Sequence, residues 1–309
     1  MFSALLRTAA SAHDDGSMDG SQGDTTWPEF EVRVMRRRHM VELTDQRWCP
    51  RLFRDIATDV LRFTSVKTNM YAPILPRLKE VLQTLDCHDI VDLCSGGTGP
   101  VLLIQEQLND REGYPVRVTL SDKFPHLEVL EQAAKGASCE VDFIAEPVDA
   151  TRVPEDLRGF RTLFASFHHF RPEDARGILE DAARRGEGIG VFEFTGRNPG
   201  IFLIMLLSPL YLLLFMPFIK PFSWRRMFWT YIVPLAPLVL MWEGLASNMR
   251  TYSAQELREL VGDIAENGYT WDIGAVRGTW DLGKVHGIGL HKITFLLGYP
   301  SRRMYGASH

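Results

Sequence analysis

The stretch DIVDLCSGGTGP, residues 89–100, decides the fold. Ile90, Val91 and Leu93 form a short apolar run that is typical of a strand, and a glycine-rich turn follows it directly. Pro100 and an aliphatic run with helical spacing come next. Because proline is common in the first turn of a helix, they predict that a helix begins here. The order of strand, glycine-rich turn and helix predicts a loop whose backbone approaches a ligand closely, at the carboxyl end of a strand in an open α/β sheet.

Strand and helix patterns alternate along the rest of the chain. Repeated βα units imply a mostly parallel sheet with helices on both faces, and the last two strands are joined without a clear helix. Strands are predicted at Ile90–Cys94, Val116–Leu120, Val141–Ile144, Leu163–Phe167, Ile189–Phe194, Tyr269–Ala275 and Ile288–Leu297. Helices are predicted near Val101–Leu108, His126–Lys135, Pro172–Arg185 and Ala254–Ile264.

The glycine-rich loop resembles motif I of the class I S-adenosylmethionine-dependent methyltransferases, an acid followed by three spaced glycines. Asp92 matches the acid and Gly96 the middle glycine. Thr98 stands where the last glycine is expected, and Gly99 fits only with a shift of one residue. The resemblance implies a Rossmann-like sheet of seven strands with the last strand antiparallel. A nicotinamide-type loop needs G-x-G-x-x-G, and the run that begins at Gly97 lacks the third glycine.

The resemblance also implies a cofactor, S-adenosylmethionine, held at the ends of the first three strands. Asp122 would hold the ribose hydroxyls, since a carboxylate accepts two hydrogen bonds in one geometry. Asp149 with Ala150 would contact the adenine edge. A helix N-cap at Asp122 and a turn cap at Asp149 are the alternatives. The predicted cofactor-binding set is Asp92, Ser95, Gly96, Gly97, Thr98, Gly99, Asp122, Lys123, Asp149 and Ala150.

Two adjacent histidines, His168 and His169, follow the predicted fourth strand. Small-molecule methyltransferases commonly carry a histidine pair here, and a neutral histidine could take a proton from a hydroxyl acceptor. We therefore predict that one of them is catalytic, the alternative being that it only orients the loop. We expect no metal site, because adjacent side chains at the end of a strand point to opposite sides.

Composition limits the class of protein and its partners. The 309 residues carry a formal charge of −5, which argues against a nucleic-acid partner. The four cysteines show no C-x-x-C spacing and are interpreted as reduced thiols in a cytoplasmic compartment. We predict a disordered tail at 1–26, a helical cap at 27–86, a methyltransferase domain at 87–299 and a tail at 300–309. Tyr71 is either a cofactor contact of the cap or a core aromatic, and the basic run 36–39 is either a solvated face or a lipid anchor.

A hydrophobic insert, residues 200–242, interrupts the predicted methyltransferase domain. Residues 201–219, IFLIMLLSPLYLLLFMPFI, carry no charge and are a transmembrane-helix candidate. A single span is excluded, because the strands on either side of the insert belong to one sheet. Two spans would place Lys220, Arg225 and Arg226 on the far side, against the positive-inside tendency. Prolines 209, 217, 234 and 237 interrupt straight helices.

We therefore expect Ile201–Met241 to form a hairpin in the near leaflet, with Trp224, Arg225 and Arg226 at headgroup level. A buried lid or a dimer interface is the alternative. The looser resemblance is to uncharacterised bacterial methyltransferases with a hydrophobic stretch after the fifth strand. The sequence thus predicts a methyltransferase on the cytoplasmic side of a membrane that acts on a lipophilic small molecule. The alternatives are a nicotinamide-dependent reductase and a non-enzymatic, membrane-anchored cofactor-binding module, since a fold does not fix a function.

Overall fold

The computed structural model describes residues 35–264, 268–281 and 286–301. The predicted tail at 1–26 and residues 302–309 of the second predicted tail lie outside these ranges. Within them, seven strands form one sheet in the order β3-β2-β1-β4-β5-β7-β6. The strands are β1 Asp89–Asp92, β2 Arg117–Leu120, β3 Val141–Phe143, β4 Phe160–Phe164, β5 Ile189–Glu193, β6 Tyr269–Asp281 and β7 His286–Pro300.

Strand direction confirms the predicted fold class. Strands β1 to β5 pair in parallel, and β7 is antiparallel to both β5 and β6. The central strands β4 and β5 are buried along their whole length, as expected where helices cover both faces of a parallel sheet. This is the mostly parallel, seven-stranded sheet with an antiparallel last strand that the family resemblance implied.

Helices cover both faces of this sheet. In the described residues the α-helices are α1 Arg51–Thr68, α2 Leu75–Leu85, α3 Val101–Asp110, α4 Leu127–Gly136, α5 Pro172–Arg185, α6 Pro199–Phe215, α7 Trp224–Met227, α8 Leu235–Arg250 and α9 Ala254–Val261. Helices α2, α3 and α4 share one core cluster with the sheet, and α5 and α9 share another. The carboxyl ends of β1 to β5 therefore meet at one edge between two apolar layers.

The fourth strand ends three residues before its predicted limit. The prediction placed it at Leu163–Phe167, because the apolar run continues that far. In the structure Ala165 instead adopts a left-handed backbone with φ of 48°, and Phe167–His169 form one turn of 3₁₀ helix. Phe167 is fully buried in the cluster beneath α5, so its apolar character reflects packing and not a strand. The turn changes the direction of both histidines.

The insert after β5 is a helical hairpin. Helix α6 is continuous through Pro209, and α8 contains Pro237 in its first turn, so the expectation that these two prolines interrupt helices is wrong. The returning arm contains α7, a π-helical segment Phe228–Ile232 and α8, and it bends by 82° near Pro234. Among the described residues, Pro199–Phe218 is long and apolar enough to cross a membrane, and the two bent pieces pass that test only as a pair.

Helix α1 packs against the insert. Phe53, Ile56 and Val60 of α1 share a buried cluster with Leu212 and Met216. Polar contacts reinforce this packing: Thr64 Oγ1 lies 2.7 Å from Tyr211 Oη, and Arg226 donates to Asp59 over 2.6 Å. The insert therefore has one face held by the N-terminal region and another that faces outward.

Candidate active site

The glycine-rich loop joins β1 to α3 through left-handed backbone at several positions. Cys94, Gly96 and Thr98 have φ of 62°, 52° and 71°. Thr98 thus adopts the conformation for which the motif ordinarily uses glycine, which explains how the loop keeps its shape without one. Ser95 closes the turn, because its hydroxyl donates to the Asp92 carboxylate over 2.8 Å.

Asp92 holds the loop from below. Its two carboxylate oxygens accept from Thr162 of β4 at 2.7 Å and from Ser95 at 2.8 Å, and the side chain is buried. Burial raises the pKa of Asp92 to about 7, and the negative charge of Asp122 adds to this effect. Asp92 therefore fastens β1, β4 and the loop together, and its direct contact with a cofactor stays a prediction.

Helix α1 covers the loop at Gly97. A Cβ atom built on this glycine would lie 2.5 Å from Thr58 Cγ2, which is far inside van der Waals contact. Only glycine permits so close an approach of helix and loop. The N-terminal region is thus in direct contact with the loop, as a cap over it would be.

Asp122, at the end of β2, meets the loop from the side. Its Oδ2 accepts from the Gly96 backbone N–H and its Oδ1 from that of Phe124, both at 2.8 Å. The helix-cap alternative for Asp122 is wrong, because α4 begins at Leu127 with His126 at its N-cap. The acid expected at the ribose position therefore lies beside the loop expected to bind the cofactor.

Asp149 follows β3 and lines a cleft of about 470 Å³. It accepts from Lys123 at 2.6 Å and from the hydroxyl of Thr151 at 2.8 Å, so it also caps a turn. Burial raises its pKa, but these hydrogen bonds outweigh that effect and lower it to about 2. The neighbouring Ala150 is buried in the core and presents no side chain to the cleft. The cleft is lined by Lys123, Asp149, Thr151, Arg152, His169, Phe170 and Asp174.

The two histidines lie side by side. Their rings stack with centroids 4.4 Å apart, so the expectation that they point to opposite sides is wrong. The reason is the 3₁₀ turn, which rotates successive side chains by roughly a third of a turn, where a strand would alternate them. The directions of the two side chains therefore do not exclude a metal site.

His168 is anchored to Glu193 at the end of β5. The His168 backbone N–H donates to one carboxylate oxygen at 3.1 Å, and its Nδ1 lies 2.8 Å from the other. Both side chains are buried. Burial raises the pKa of Glu193, but the charge and hydrogen bonds of His168 outweigh this and the pKa falls below its ordinary value. His168 is therefore fixed in orientation, with Nε2 free of this interaction.

Two carboxylates from the N-terminal segment complete the group. Glu42 lies 3.7 Å from His168 Nε2 and 3.3 Å from His169 Nδ1, and Asp45 lies 3.1 Å from the same Nδ1. Glu42 is 2% exposed, whereas His169 reaches the cleft. Desolvation lowers the pKa of His169, and the two carboxylates outweigh it, so that the pKa is raised.

Two arginines brace the histidine turn. Arg250 at the end of α8 donates to the backbone oxygens of His168 and His169 at 3.3 and 3.0 Å, and to Asp45 at 2.8 Å. Arg37 donates to Phe170 O at 3.1 Å and lies 3.9 Å over the ring of Tyr252. Arg37 therefore fits neither alternative considered for the basic run 36–39, a solvated face or a lipid anchor. Its contacts instead hold the histidine turn in place.

Sequence reasoning missed several of these residues. Glu42, Asp45 and Arg250 carry no local signal, because they reach the histidines only through the tertiary fold. Glu193 could have been found, since it is an acid at the carboxyl end of a buried strand. Tyr71 is a core aromatic, 2% exposed and 5.2 Å edge-on from Phe164. Among the described residues, its hydroxyl is one of the buried groups without a hydrogen-bond partner.

Comparisons with known proteins give structural likeness only. No protein-family model and no curated protein matches the chain. The plantazolicin methyltransferase BpumL in complex with SAH is similar at a TM-score of 0.48 and 12% identity, over 84% of this chain and 95% of that one. Magnesium protoporphyrin IX methyltransferase ChlM from Synechocystis PCC 6803, with bound SAH, is similar at 0.40 and 12%, over 74% and 83%.

A structure from Rhodobacter sphaeroides that is named after the Zn-dependent alcohol dehydrogenases is similar at a TM-score of 0.44 and 12% identity, over 80% of this chain and 97% of that one. At these identities and scores, likeness carries no argument about activity.

Proposed function

We propose that the protein is an S-adenosylmethionine-dependent methyltransferase that acts on a lipophilic small molecule at a membrane surface. One observation carries the proposal: the N–H of Gly96 in the loop after β1 donates to Asp122 at the end of β2, 2.8 Å away. A glycine loop and a carboxylate so placed offer backbone N–H donors to the carboxylate of the cofactor's tail and an acceptor to ribose hydroxyls.

The residues around the cleft fit an adenosyl group. The hydrogen bond from the Gly96 N–H to Asp122 lies at the surface. A ribose hydroxyl can therefore take the place of this N–H as the donor to Asp122 without the loss of a buried hydrogen bond. Lys123 and Asp149 line the adjoining cleft, where adenine would lie. The cofactor supplies a methyl group on a positively charged sulfur, which an acceptor attacks in line. Such transfer depends mainly on alignment, and positioning supplies most of the rate.

We assign different roles to the two histidines. His168 is buried and held by Glu193, which suits a positioning residue. His169 lines the cleft beside Asp149 and can reach an acceptor there. If the acceptor is a hydroxyl, His169 is the group placed to take its proton.

The outward face of the insert is the part that would meet a membrane. Its large apolar side chains are widely exposed: Leu214 and Phe218 at 68% each, Ile232 at 71% and Trp224 at 79%. Monomeric soluble proteins rarely expose contiguous apolar area of this kind. Arg225 is exposed beside Trp224, but Arg226 is buried against Asp59, so the expectation that Arg226 lies at headgroup level is wrong.

Helix α8 connects this surface to the histidines. Leu238 near its start is 52% exposed on the apolar face, and Arg250 at its end binds the backbone of both histidines. Its 16 residues span about 24 Å. A substrate that leaves the membrane near the start of α8 would therefore travel about the length of this helix to reach the histidines.

Methyl transfer is tested with labelled S-adenosylmethionine, purified full-length protein and a membrane lipid extract. We expect label in the organic phase, and a loss of about 10²–10⁴-fold in turnover for His169→Ala. His88→Ala, at an exposed histidine far from the cleft, is the matched control and should keep full turnover. Cofactor binding without any transfer would overturn the enzymatic proposal in favour of a binding module.

Membrane association is tested by flotation with vesicles of phosphatidylcholine and phosphatidylglycerol. The parent protein should float with the vesicles. A triple variant, Leu210→Gln with Leu214→Gln and Phe218→Gln, should remain at the bottom because it loses buried apolar area. The control changes three exposed apolar residues elsewhere, Trp48, Val66 and Leu127, to Gln and should still float. A parent protein that stays unbound as a dimer would make this face an interface and overturn the membrane proposal.

A further inference from the structure

We propose that Glu42, His168 and His169 form a binding site for one divalent transition-metal cation of the zinc type. Ligand atoms of the three residues all lie within 4.8 Å of one another in the described part of the chain. Imidazole nitrogens with a carboxylate are the ligands that suit such cations. Binding of the cation does not depend on the proposed function. Only a role of the cation in methyl transfer rests on that proposal.

The spacing of the ligand atoms matches a tetrahedral site. With bonds of about 2.0–2.1 Å, the atoms around a tetrahedral Zn²⁺ lie about 3.3 Å apart. In the structure Glu42 Oε2 lies 3.3 Å from His169 Nδ1, and the other oxygen, Glu42 Oε1, lies 3.7 Å from His168 Nε2. Asp45 lies 3.1 Å from His169 Nδ1 and offers a further oxygen at the rim. The ligand atoms of the three residues lie within 4.8 Å of one another, so rotation of the side chains would have to bring them closer around one cation.

Glu193 supplies the outer contact that metal-binding histidines ordinarily have. Its carboxylate lies 2.8 Å from His168 Nδ1, so the proton of His168 is held there and Nε2 is left as the ligand atom, facing Glu42. A carboxylate behind a histidine fixes its tautomer and raises its basicity. Glu193 is buried and also accepts the His168 backbone N–H, which makes the ring orientation rigid.

Charge favours a cation at this place. The buried Glu42 and the partly exposed Asp45 lie 3.4 and 2.8 Å from Arg250 Nη1, and the buried Glu193 is paired with His168. Arg250 contacts Asp45 Oδ2 and Glu42 Oε1. The other two oxygens, Asp45 Oδ1 and Glu42 Oε2, lie 3.1 and 3.3 Å from His169 Nδ1. A divalent cation beside Glu42 and Asp45 would add to the positive charge that Arg250 supplies to these carboxylates.

The site could serve the acceptor directly. His169 reaches the cleft, so a position on the cation would open toward a hydroxyl bound there. A metal-bound hydroxyl loses its proton near neutral pH. With the cation bound, His169 would be a ligand and would no longer take the proton, which would pass to water in the cleft. The acceptor oxygen would bond to the methyl carbon, and the carbon–sulfur bond would break to release S-adenosylhomocysteine.

The test titrates ZnCl₂ into untagged, EDTA-stripped and dialysed full-length protein by calorimetry, with no cofactor present. We expect one Zn²⁺ per chain. Glu42→Gln and His169→Ala should each lose more than about 100-fold in affinity, and Glu193→Gln about 10–100-fold as an outer contact. His88→Ala should bind as the parent does. Cofactor affinity is measured separately in EDTA, so that failure here and failure of the proposed function are distinguishable.

A second measurement uses CoCl₂ with the parent protein, and so does not depend on whether any variant folds. Strong visible absorption bands that EDTA abolishes would show a site of low coordination number. Their absence, together with no saturable Zn²⁺ binding, would overturn the proposal. Binding of undiminished affinity in folded Glu42→Gln and His169→Ala would overturn it as well.

Discussion

The two halves of the site are built differently. The glycine-loop half takes its residues from the ends of neighbouring strands, and two of them, Lys123 and Asp149, line the cleft. The histidine half draws Glu42, Glu193 and Arg250 from distant parts of the chain, and these side chains are buried. The positions of the proposed cofactor-binding residues thus follow from the sheet itself. The positions of the histidines and their partners depend instead on how the N-terminal segment and the insert pack. Changes in the second half should therefore cost more stability than changes in the first.

The largest effect is expected for Glu193→Ala. Removing this carboxylate leaves the buried His168 ring and its backbone N–H without their partner. Breaking such a buried pair costs about 3–5 kcal/mol in the free energy of unfolding. Chemical denaturation measures it, with Glu128→Ala on the exposed side of α4 as a control that should stay within about 0.5 kcal/mol. A loss below about 1 kcal/mol would show that the pair is not a determinant of the fold.

A smaller effect is expected for Gly97→Ala in the loop half. The new methyl would meet Thr58 Cγ2 at 2.5 Å, and overpacking of this kind costs about 1–3 kcal/mol. Thr58→Ala removes the clashing atom and leaves the Thr58 Cβ at an ordinary 3.7 Å. The double variant should therefore recover most of the lost stability. If the two losses simply add, the close approach of α1 and the loop is contradicted.

The third effect concerns the pH dependence of stability, and it is expressed as a change per pH unit. The pKa of Asp92 in the folded protein, about 7, lies above its ordinary value of about 3.9. The folded state therefore holds an extra proton between these values, and stability falls as pH rises from about 4 to 7, by at most about 1.4 kcal/mol per pH unit. Asp92→Asn should flatten this slope in denaturation curves. An unchanged slope would mean that Asp92 is ionised in the fold.

The sequence predicted the sheet and the loop half because their signals are local. An apolar run, glycines and an acid at the end of each strand define where the strands stop and where a ligand can bind. Helix α5 was predicted with the bounds that the structure has, since Pro172 begins it and Gly186 in left-handed backbone ends it.

The histidine half was predicted only in part, for a physical reason. The apolar Phe167 predicts that the strand continues, but in the structure it is buried in a 3₁₀ turn. That turn brings the rings of His168 and His169 together. No local pattern marks Glu42, because its role appears only when the N-terminal segment lies across α8. The same holds for Arg226, whose partner Asp59 is on α1.

The most direct test of the account is calorimetric titration of S-adenosylhomocysteine into the full-length protein, with NADH in parallel. We predict one S-adenosylhomocysteine per chain and no NADH binding. Asp122→Ala should weaken binding by about 1.5–3 kcal/mol, as expected for hydrogen bonds to a charged group. Asp142→Ala, at an exposed acid on the edge strand β3, should bind as the parent does. Binding of NADH, or S-adenosylhomocysteine affinity that Asp122→Ala leaves unchanged, would contradict the proposed cofactor site.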